Sequence, residues 1–122
     1  MAYPIQTVLN DVTVNAQLAD LSTASSCFIP CPVDGTLVRA YSTIKNAITV
    51  ADAIWTIEIN GTEATGSSTT VATASSAAGD VDVSTPTALN TVRKGDAIEF
   101  VSDGGSTTTC VTDFTAVIRV KS

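Results

Sequence analysis

Few side chains in this chain are of the types that carry out catalysis. The sequence contains no histidine, so a serine nucleophile would need a lysine base, and Lys45, Lys94 and Lys121 all lie outside any recognisable catalytic motif. Two carboxylates can hydrolyse a glycosidic bond when they flank it. Glu58 and Glu99 are candidates, but they belong to separate predicted strands and nothing in the sequence brings them into one cleft. We therefore expect no enzymatic activity.

Metal ligands are equally sparse. Zinc needs four ligands, and Cys27, Cys31 and Cys110 without histidine do not supply a convincing set. Asp80 and Asp82 share one face of a predicted strand, but calcium needs about six to eight oxygen ligands and no loop motif provides them. Cys27 and Cys31 are too far apart to bridge in an extended strand, although Pro30 between them could fold them together. Synthesis in the cytoplasm favours buried free thiols instead, and the sequence further predicts a solvated acidic face and no metal or cofactor.

The charge balance excludes several partners. Twelve acidic residues against six basic ones give a formal net charge of −6, which should repel a phosphate backbone, so we expect no nucleic-acid binding. The first residues show neither a basic nor an apolar leader region, and no apolar run approaches the roughly 18 residues of a membrane span. We expect a soluble product made in the cytoplasm, with no membrane partner.

The elements that must position these residues are predicted to be strands. Near the C-terminus Phe114, Ala116 and Ile118 alternate with the polar residues Asp113 and Thr115. This period of two gives a strand one dry and one wet face. The same period recurs from Val12 to Leu18, whereas helical spacing is confined to a short stretch between residues 15 and 21.

Turn signals divide the rest of the chain into further strands. Asn60-Gly61 predicts a type I′ hairpin turn, and residues 103–105 predict a second hairpin that joins the Ile98–Phe100 strand to the C-terminal one. Pro30 and Pro32 exclude a central strand, so residues 27–33 should lie at an edge or a corner. Residues 62–79 hold mainly small side chains and predict either a flexible rim or a closely packed strand.

Two apolar patterns predict which faces are buried. Trp55, Ile57 and Ile59 share one phase, so Trp55 is expected in the core rather than on a sugar-binding face. Val81 and Val83, followed by Leu89 and Val92, predict two more short strands. Together these signals predict an all-β fold: one antiparallel, jelly-roll-like β-sandwich domain over residues 11–122, with about seven to nine strands, preceded by an N-terminal arm over residues 1–10.

Three segments carry a resemblance to a known family. FIPCPVDGTLVRAYSTI, ADAIWTIEINGTEAT and AAGDVDVSTPTALNTVRKGDAIEFVSDGGSTT resemble small virion proteins of tailed bacteriophages, in particular head decoration (cement) proteins. The resemblance covers roughly residues 27–120 and rests on strand and turn signatures. It carries no catalytic residue with it.

The resemblance implies a non-enzymatic β-sandwich on the exterior of the phage head, made in the host cytoplasm. Such a protein would bind the major capsid protein of the assembled lattice, commonly as a homotrimer, and stabilise it. Symmetric association would also cover exposed edge strands. Interface candidates are the apolar residues of the arm, which either reaches a neighbouring molecule or folds on its own sheet: Tyr3, Pro4, Ile5, Val8 and Leu9.

Two other functions remain open. One is a receptor-binding or carbohydrate-binding module of a phage fibre or baseplate, which would use exposed loops in residues 62–79 and 102–109. The other is a bacterial structural or adhesive subunit, against which the lack of an export signal argues. A glycan-binding module would need exposed aromatic side chains, of which the sequence offers few.

Overall fold

Ten β-strands form the part of the chain that the computed structural model describes, residues 10–121. Six of them, with six to ten residues each, build the two main layers, and the four short ones complete their edges. In chain order the strands are β1 (Asp11–Leu18), β2 (Ser25–Pro30), β3 (Gly35–Ile44), β4 (Ala53–Ile59), β5 (Thr62–Glu63), β6 (Thr69–Val71), β7 (Val81–Ser84), β8 (Thr91–Val92), β9 (Ala97–Ser102) and β10 (Thr112–Val120).

The strands form two five-stranded antiparallel sheets that pack as a sandwich. Sheet A has the order β1-β10-β3-β7, with β8 also paired to β3, and sheet B has the order β2-β9-β4-β5, with β6 also paired to β4. Because β5 and β6 share one partner, and β7 and β8 share another, ten strands occupy eight positions. This is the strand order of a jelly roll, and it confirms the predicted all-β sandwich. The strand number exceeds the predicted seven to nine because two edge positions are each split in two.

The core lies between the sheets and centres on three aromatic rings. Trp55 from β4 is fully buried, as predicted, and meets Phe100 and Phe114 edge-on at centroid distances of 6.2 and 5.0 Å. Phe100 and Phe114 stack on each other at 4.6 Å. The Trp55 indole N–H donates to the Ser42 hydroxyl at 3.1 Å, so its one polar atom is satisfied inside the core.

Several predictions of local structure are confirmed. β1 and β10 run where the alternation placed them and pair with each other. Asn60 and Gly61 have the φ angles of 50° and 84° that a type I′ turn needs, and they join β4 to β5. β2, which ends at Pro30, lies at an edge of sheet B. For residues 62–79, of the flexible rim and the closely packed strand that the sequence allowed, the strand is found: β6 lies in this segment, and Ser67 and Val71 are buried.

The predicted hairpin at residues 103–105 is wrong. β9 belongs to sheet B and β10 to sheet A, so the segment between them crosses from one layer to the other. Gly104 passes so close to Ala24 that an added Cβ would lie 2.7 Å from its backbone nitrogen, and the Ser102 hydroxyl donates to the Leu21 carbonyl at 2.6 Å. A period of two predicts a strand's faces, but it does not specify the strand's partner.

Two further predictions about faces are corrected. The alternation of residues 37–41 predicts Val38 and Ala40 on one face and Leu37, Arg39 and Tyr41 on the other. A register shift in the pairing of β3 with β10 leaves Val38 without a partner, so Leu37 and Ala40 are both buried. β7 has the opposite phase from the predicted one. Val81 and Val83 are 55% and 48% exposed, whereas Asp82 is half-buried on the inner side.

Candidate functional site

The predicted interface residues Tyr3, Pro4, Ile5, Val8 and Leu9 lie outside the described residues. The structure does show where the segment that contains them joins the domain. The Asn10 carbonyl accepts a hydrogen bond from the Val120 N–H at 2.8 Å, directly before β1 begins. Residues 1–9 therefore connect to the end of the sandwich at which β1 starts and β10 finishes.

This end collects most of the basic side chains of the protein, and we refer to it as the basic end. Strand register brings them together, since β1 and β3 begin here, β10 finishes here, and the turn between β8 and β9 lies beside them. Five of the six Lys and Arg residues belong to it, together with three aspartates, Asp11, Asp34 and Asp96. Glu58 and Glu63 flank the Asn60-Gly61 turn, which bonds to Asp96 and Ala97 at the same end. The basic residues are Arg39, Arg93, Lys94, Arg119 and Lys121.

The three aspartates of the basic end are fixed by hydrogen bonds. The Asp11 carboxylate pairs with the Arg119 guanidinium at 3.1 Å, and this hydrogen bond lowers the pKa of Asp11. Asp96 accepts from the Asn60 side-chain amide at 2.9 Å and from the Arg93 N–H at 2.8 Å. These two hydrogen bonds, that of Asn60 first, lower the pKa of Asp96. The aspartates thus order the turns on which the basic residues stand.

Asp34 accepts hydrogen bonds from the backbone of two lysines and lines a small cleft together with one of them, Lys121. Its carboxylate accepts from the Lys94 backbone N–H at 2.9 Å, and its carbonyl accepts from the Lys121 N–H at 2.9 Å. The cleft has a volume of about 130 Å³, and Arg93 also lines it. The side chains of Arg93, Lys94 and Lys121 make no hydrogen bond or ion pair with any residue from 10 to 121. All three residues are exposed.

An apolar feature adjoins these charges. Leu89 is 64% exposed and has a φ of 50°, and it lines an open cleft of about 340 Å³ with Ile59, Thr62 and Thr91. Thr91 also lines the smaller cleft beside Lys121. The basic end therefore combines exposed cationic side chains with an adjoining cleft that two apolar and two threonine side chains line.

The opposite end of the sandwich, which we call the acidic end, carries one basic residue, Lys45. Its aspartates close loops by accepting backbone N–H groups. Asp20 accepts from Ser22 at 2.9 Å and from Cys110 at 3.0 Å, and the other loop aspartates bond in the same way. The acidic residues at this end are Asp20, Asp52, Asp80, Asp82, Asp103 and Asp113.

Two carboxyls of the acidic end have pKa shifts of opposite sign. Burial opposes ionisation of Asp20, but hydrogen bonds from Thr23, Cys110 and Ser22 outweigh it and lower the pKa. Burial raises the pKa of Asp82, and the charge of Asp80 adds to the effect. Asp82 is therefore not part of the fully solvated face that the sequence predicted.

The outer face of sheet A carries a third open feature. Asn15, Gln17, Thr43 and Thr115 line a groove of about 540 Å³ together with Asp113. Asp113 is held by the Lys45 ammonium at 2.6 Å and by the Gln17 amide at 2.9 Å, and both hydrogen bonds lower its pKa. The groove is polar and shallow, and its amides and hydroxyls already bond to one another.

The outer face of sheet B brings the two candidate catalytic carboxylates together. Glu58 and Glu99 are direct cross-strand partners, and Glu63 lies opposite Glu58 on the other side. Phe28, which is 63% exposed, is the neighbour of Glu99 on β2. The three clefts described above are lined by other residues. The pairing forms a row of charges on an open sheet rather than the two walls of a cleft.

The cysteines and the possible metal ligands show no assembled centre among residues 10–121. All three cysteines are free thiols, and burial, followed by the charge of Glu99, raises the pKa of Cys27 to about 11. In this part of the chain no three His, Cys, Asp or Glu side chains are grouped to hold a metal ion. The described residues also contain no helix long and apolar enough to cross a membrane.

Comparisons with known proteins show which solved structures share this fold. No family model and no curated protein sequence matches the chain. Among solved structures, a chain of the cyanophage Pam1 capsid asymmetric unit is similar with a TM-score of 0.60 and 14% identity, over 99% of this chain and 93% of that one. The catalytic unit of a GH87 α-1,3-glucanase from Streptomyces thermodiastaticus strain HF3-3 gives a TM-score of 0.54 and 13% identity, over 92% of this chain but 26% of that one.

At these identities the likeness concerns the fold alone, and the class that it defines is the all-β jelly-roll sandwich. The two matches differ in extent. The capsid chain and this one correspond over nearly their whole lengths, whereas the glucanase match is limited to about a quarter of the larger protein.

Proposed function

We propose that this chain is a non-enzymatic structural protein of a bacteriophage virion, which decorates the exterior of the head and stabilises the lattice of the major capsid protein. The observation that carries the proposal is the nearly end-to-end correspondence with a chain of a phage capsid asymmetric unit. The resemblance of the strand and turn segments to decoration proteins supports the same role. A jelly roll serves many functions, so the fold by itself would not decide the matter.

The physical basis of such a role is mass action. A protein that binds the assembled lattice, but not its dissociated subunits, stabilises the assembly in proportion to the binding free energy of each copy. Multiple contacts from one oligomer raise the overall affinity without any new kind of contact. We propose a homotrimer, since the edge strands β1, β2 and β7 offer surfaces that symmetric packing would cover.

The test uses particles that lack this protein. We expect such particles to assemble but to lose their genome at a lower temperature, or under milder osmotic shock, than complete ones. Adding the purified protein should restore the tolerance, whereas an unrelated β-sandwich of equal net charge should not. Normal robustness of the depleted particles would refute the proposal.

The alternative is a receptor-binding or carbohydrate-binding module of a fibre or baseplate, and the groove on sheet A is the observation in its favour. Amide, hydroxyl and carboxylate side chains such as Asn15, Gln17 and Asp113 are suited to sugar hydroxyls. Trp55, however, is buried and unable to stack on a sugar. Depleted particles that remain robust but fail to adsorb to cells would favour this alternative.

The proposed trimer has its own measurement. Light scattering on the purified protein at micromolar concentration should give a mass near three times the 12.5 kDa of one chain. A strict monomer, both free and on capsids, would exclude the homotrimer and leave the role in decoration to be judged by the depletion experiment.

A further inference from the structure

We propose that Asn60-Gly61 is a deamidation site that the folded protein holds closed, and that Asp96 is the residue that positions the Asn60 carboxamide away from the reacting nitrogen. This property would hold whatever the role of the protein in the virion. Three features point to it: the Asn-Gly sequence, the exposure of the turn, and the hydrogen bonds of the Asn60 side chain.

Deamidation at such a sequence is an attack of the backbone on a side-chain amide. The nitrogen of Gly61 loses its proton and forms a bond to Cγ of Asn60, while the bond between Cγ and Nδ2 breaks and Nδ2 takes up a proton and leaves as ammonia. Water then opens the resulting succinimide ring at either carbonyl, which leaves an aspartate or an isoaspartate at position 60. A following glycine favours the ring because no side chain hinders its nitrogen, and Asn60 is the one asparagine of the chain that glycine follows.

The turn itself is open to solvent. Asn60 and Gly61 are both exposed, and a Cβ added to Gly61 would meet no atom of the described residues within 4 Å. Water and hydroxide therefore reach both residues. Since burial does not shield the turn, protection must come from its conformation and its hydrogen bonds.

Hydrogen bonds tie Asn60 to the segment that leads into β9, and we refer to the two made by its side chain as the Asn60 clamp. Its Nδ2 donates to the Asp96 carboxylate at 2.9 Å, and its Oδ1 accepts from the Ala97 N–H at 2.9 Å. The Asn60 backbone N–H also donates to the Ala97 carbonyl at 2.9 Å. A carboxylate only accepts and a backbone N–H only donates, so the orientation of the carboxamide is fixed.

Ring closure would require the carboxamide to leave both partners of the clamp. Cγ of Asn60 must come within about 3–3.5 Å of the Gly61 nitrogen in the alignment for attack, whereas both polar atoms on Cγ bond to the facing segment. Turning Cγ toward Gly61 breaks one charge-assisted and one neutral hydrogen bond. The positive φ angles of Asn60 and Gly61 belong to the type I′ turn, which restrains the backbone between them as well.

Asp96 also supplies no proton to the leaving nitrogen. The hydrogen bonds from the Asn60 side chain and the Arg93 N–H lower the pKa of Asp96, so the carboxyl is ionised at neutral pH and can only accept. Acid catalysis of the departure of ammonia would need a protonated group. The competing effect is activation of the Asn60 carbonyl by the Ala97 N–H, which would accelerate the reaction, and the experiment distinguishes acceleration from protection.

The product of the reaction would no longer fit this place in the fold. Deamidation replaces the donor Nδ2 by an acceptor oxygen, so the side chain at position 60 would repel Asp96 instead of bonding to it. The isoaspartate form would also insert a methylene group into the backbone of the turn. The clamp therefore protects the hairpin that joins β4 to β5.

The experiment follows deamidation of the purified full-length protein at mildly alkaline pH, both folded in buffer and unfolded in guanidinium chloride. Mass spectrometry of the tryptic peptides detects the replacement of NH₂ by OH, and fragmentation assigns it to Asn60 rather than to another asparagine. The test variant is Asp96→Ala, which removes the acceptor of Asn60 Nδ2. Its matched control is Asp34→Ala, which removes a carboxylate that bonds to the Lys94 N–H at the same end but not to Asn60.

We expect Asn60 of the folded wild type to react at least about tenfold more slowly than in the unfolded chain, because two hydrogen bonds must break first. Folded Asp96→Ala should react about tenfold faster than the folded wild type, and Asp34→Ala should react like the wild type. The proposal is overturned if the folded wild type reacts as fast as the unfolded chain or faster. It is overturned equally if Asp96→Ala is no faster than the wild type, or if Asp34→Ala accelerates the reaction as much. The first comparison uses the wild type alone, so it decides even if Asp96→Ala does not fold.

Discussion

The two ends of the sandwich use the same kind of residue for different purposes. At the acidic end, the carboxylates of Asp20, Asp52 and Asp103 accept hydrogen bonds from backbone N–H groups. The negative charge of this end therefore comes from groups that stabilise its loops. At the basic end, aspartates also order the turns, but the side chains of Lys94 and Lys121 make no hydrogen bond or ion pair with the described residues. The aspartates of both ends therefore stabilise loops and turns, whereas the ammonium groups of Lys94 and Lys121 are bonded to none of the described residues.

The largest effect on stability should come from neither end but from the core between them. Replacing Trp55 with alanine removes its edge-on contacts with Phe100 and Phe114 and leaves a cavity. We expect a loss of about 3–5 kcal/mol in the free energy of unfolding, measured by chemical denaturation. A loss below about 1 kcal/mol would mean that the aromatic cluster does not organise the fold.

The next effect belongs to the acidic end. Asp20→Asn should lower the free energy of unfolding by about 2 kcal/mol at neutral pH, because a neutral amide replaces a carboxylate that accepts charge-assisted hydrogen bonds. Since the folded pKa of Asp20 is lowered, its contribution is present above the unfolded pKa near 3.9 and is lost as the pH falls through the folded value. Denaturation curves at pH 7 and pH 3 test this, and an equal deficit at both would contradict it.

Asp82 should respond with the opposite sign, although it lies at the same end. Its folded pKa is raised, so its contribution to stability is present below the unfolded pKa and is lost as the pH rises through the folded value. Asp82→Asn should therefore raise the melting temperature at pH 7, and the gain should vanish at pH 3. Glu63→Gln, which removes one negative charge from an exposed position on the other sheet, is the matched control. A lower melting temperature of Asp82→Asn at pH 7 would show that the ionised carboxylate is needed.

The smallest effect is expected at the basic end. Lys94→Gln/Lys121→Gln should change the free energy of unfolding by less than about 0.5 kcal/mol, as for ordinary surface substitutions. Thermal denaturation beside Asp20→Asn is the measurement. If the lysine variant is the less stable of the two, the contrast between the ends is wrong, and the lysines serve the fold after all.

Much of the fold follows from the sequence because periodicity and turn chemistry are local. The faces of β1, β4 and β10, the Asn60-Gly61 turn and the buried Trp55 all depend on residues within a few positions of one another. Strand partners are not local. Nothing in residues 97–120 states that β9 and β10 lie in different sheets, and one unpaired residue, Val38, reverses the faces of β3.

The candidate site was harder to predict for the same reason. The basic end exists only because register places Arg119 beside Asp11, 108 positions away along the chain, and because the β8–β9 turn bonds to Asp34. In the sequence these residues are scattered among acidic neighbours. The one local indication of a basic surface is the Arg93-Lys94-Gly95 sequence, and it is equally typical of an ordinary turn between two strands.

The hydrogen bond between Val120 and Asn10 holds the first and last described residues at one end of the sandwich, which determines where a protein fused to the C-terminus would lie. A fluorescent protein or peptide joined after residue 121 would start beside Asp34, to which the Lys121 N–H bonds, whereas one inserted between Ala74 and Ala78 would start at the far end. A peptide that should stay clear of the basic end is therefore better inserted between Ala74 and Ala78, whereas a protein fused to the C-terminus would block the basic end sterically.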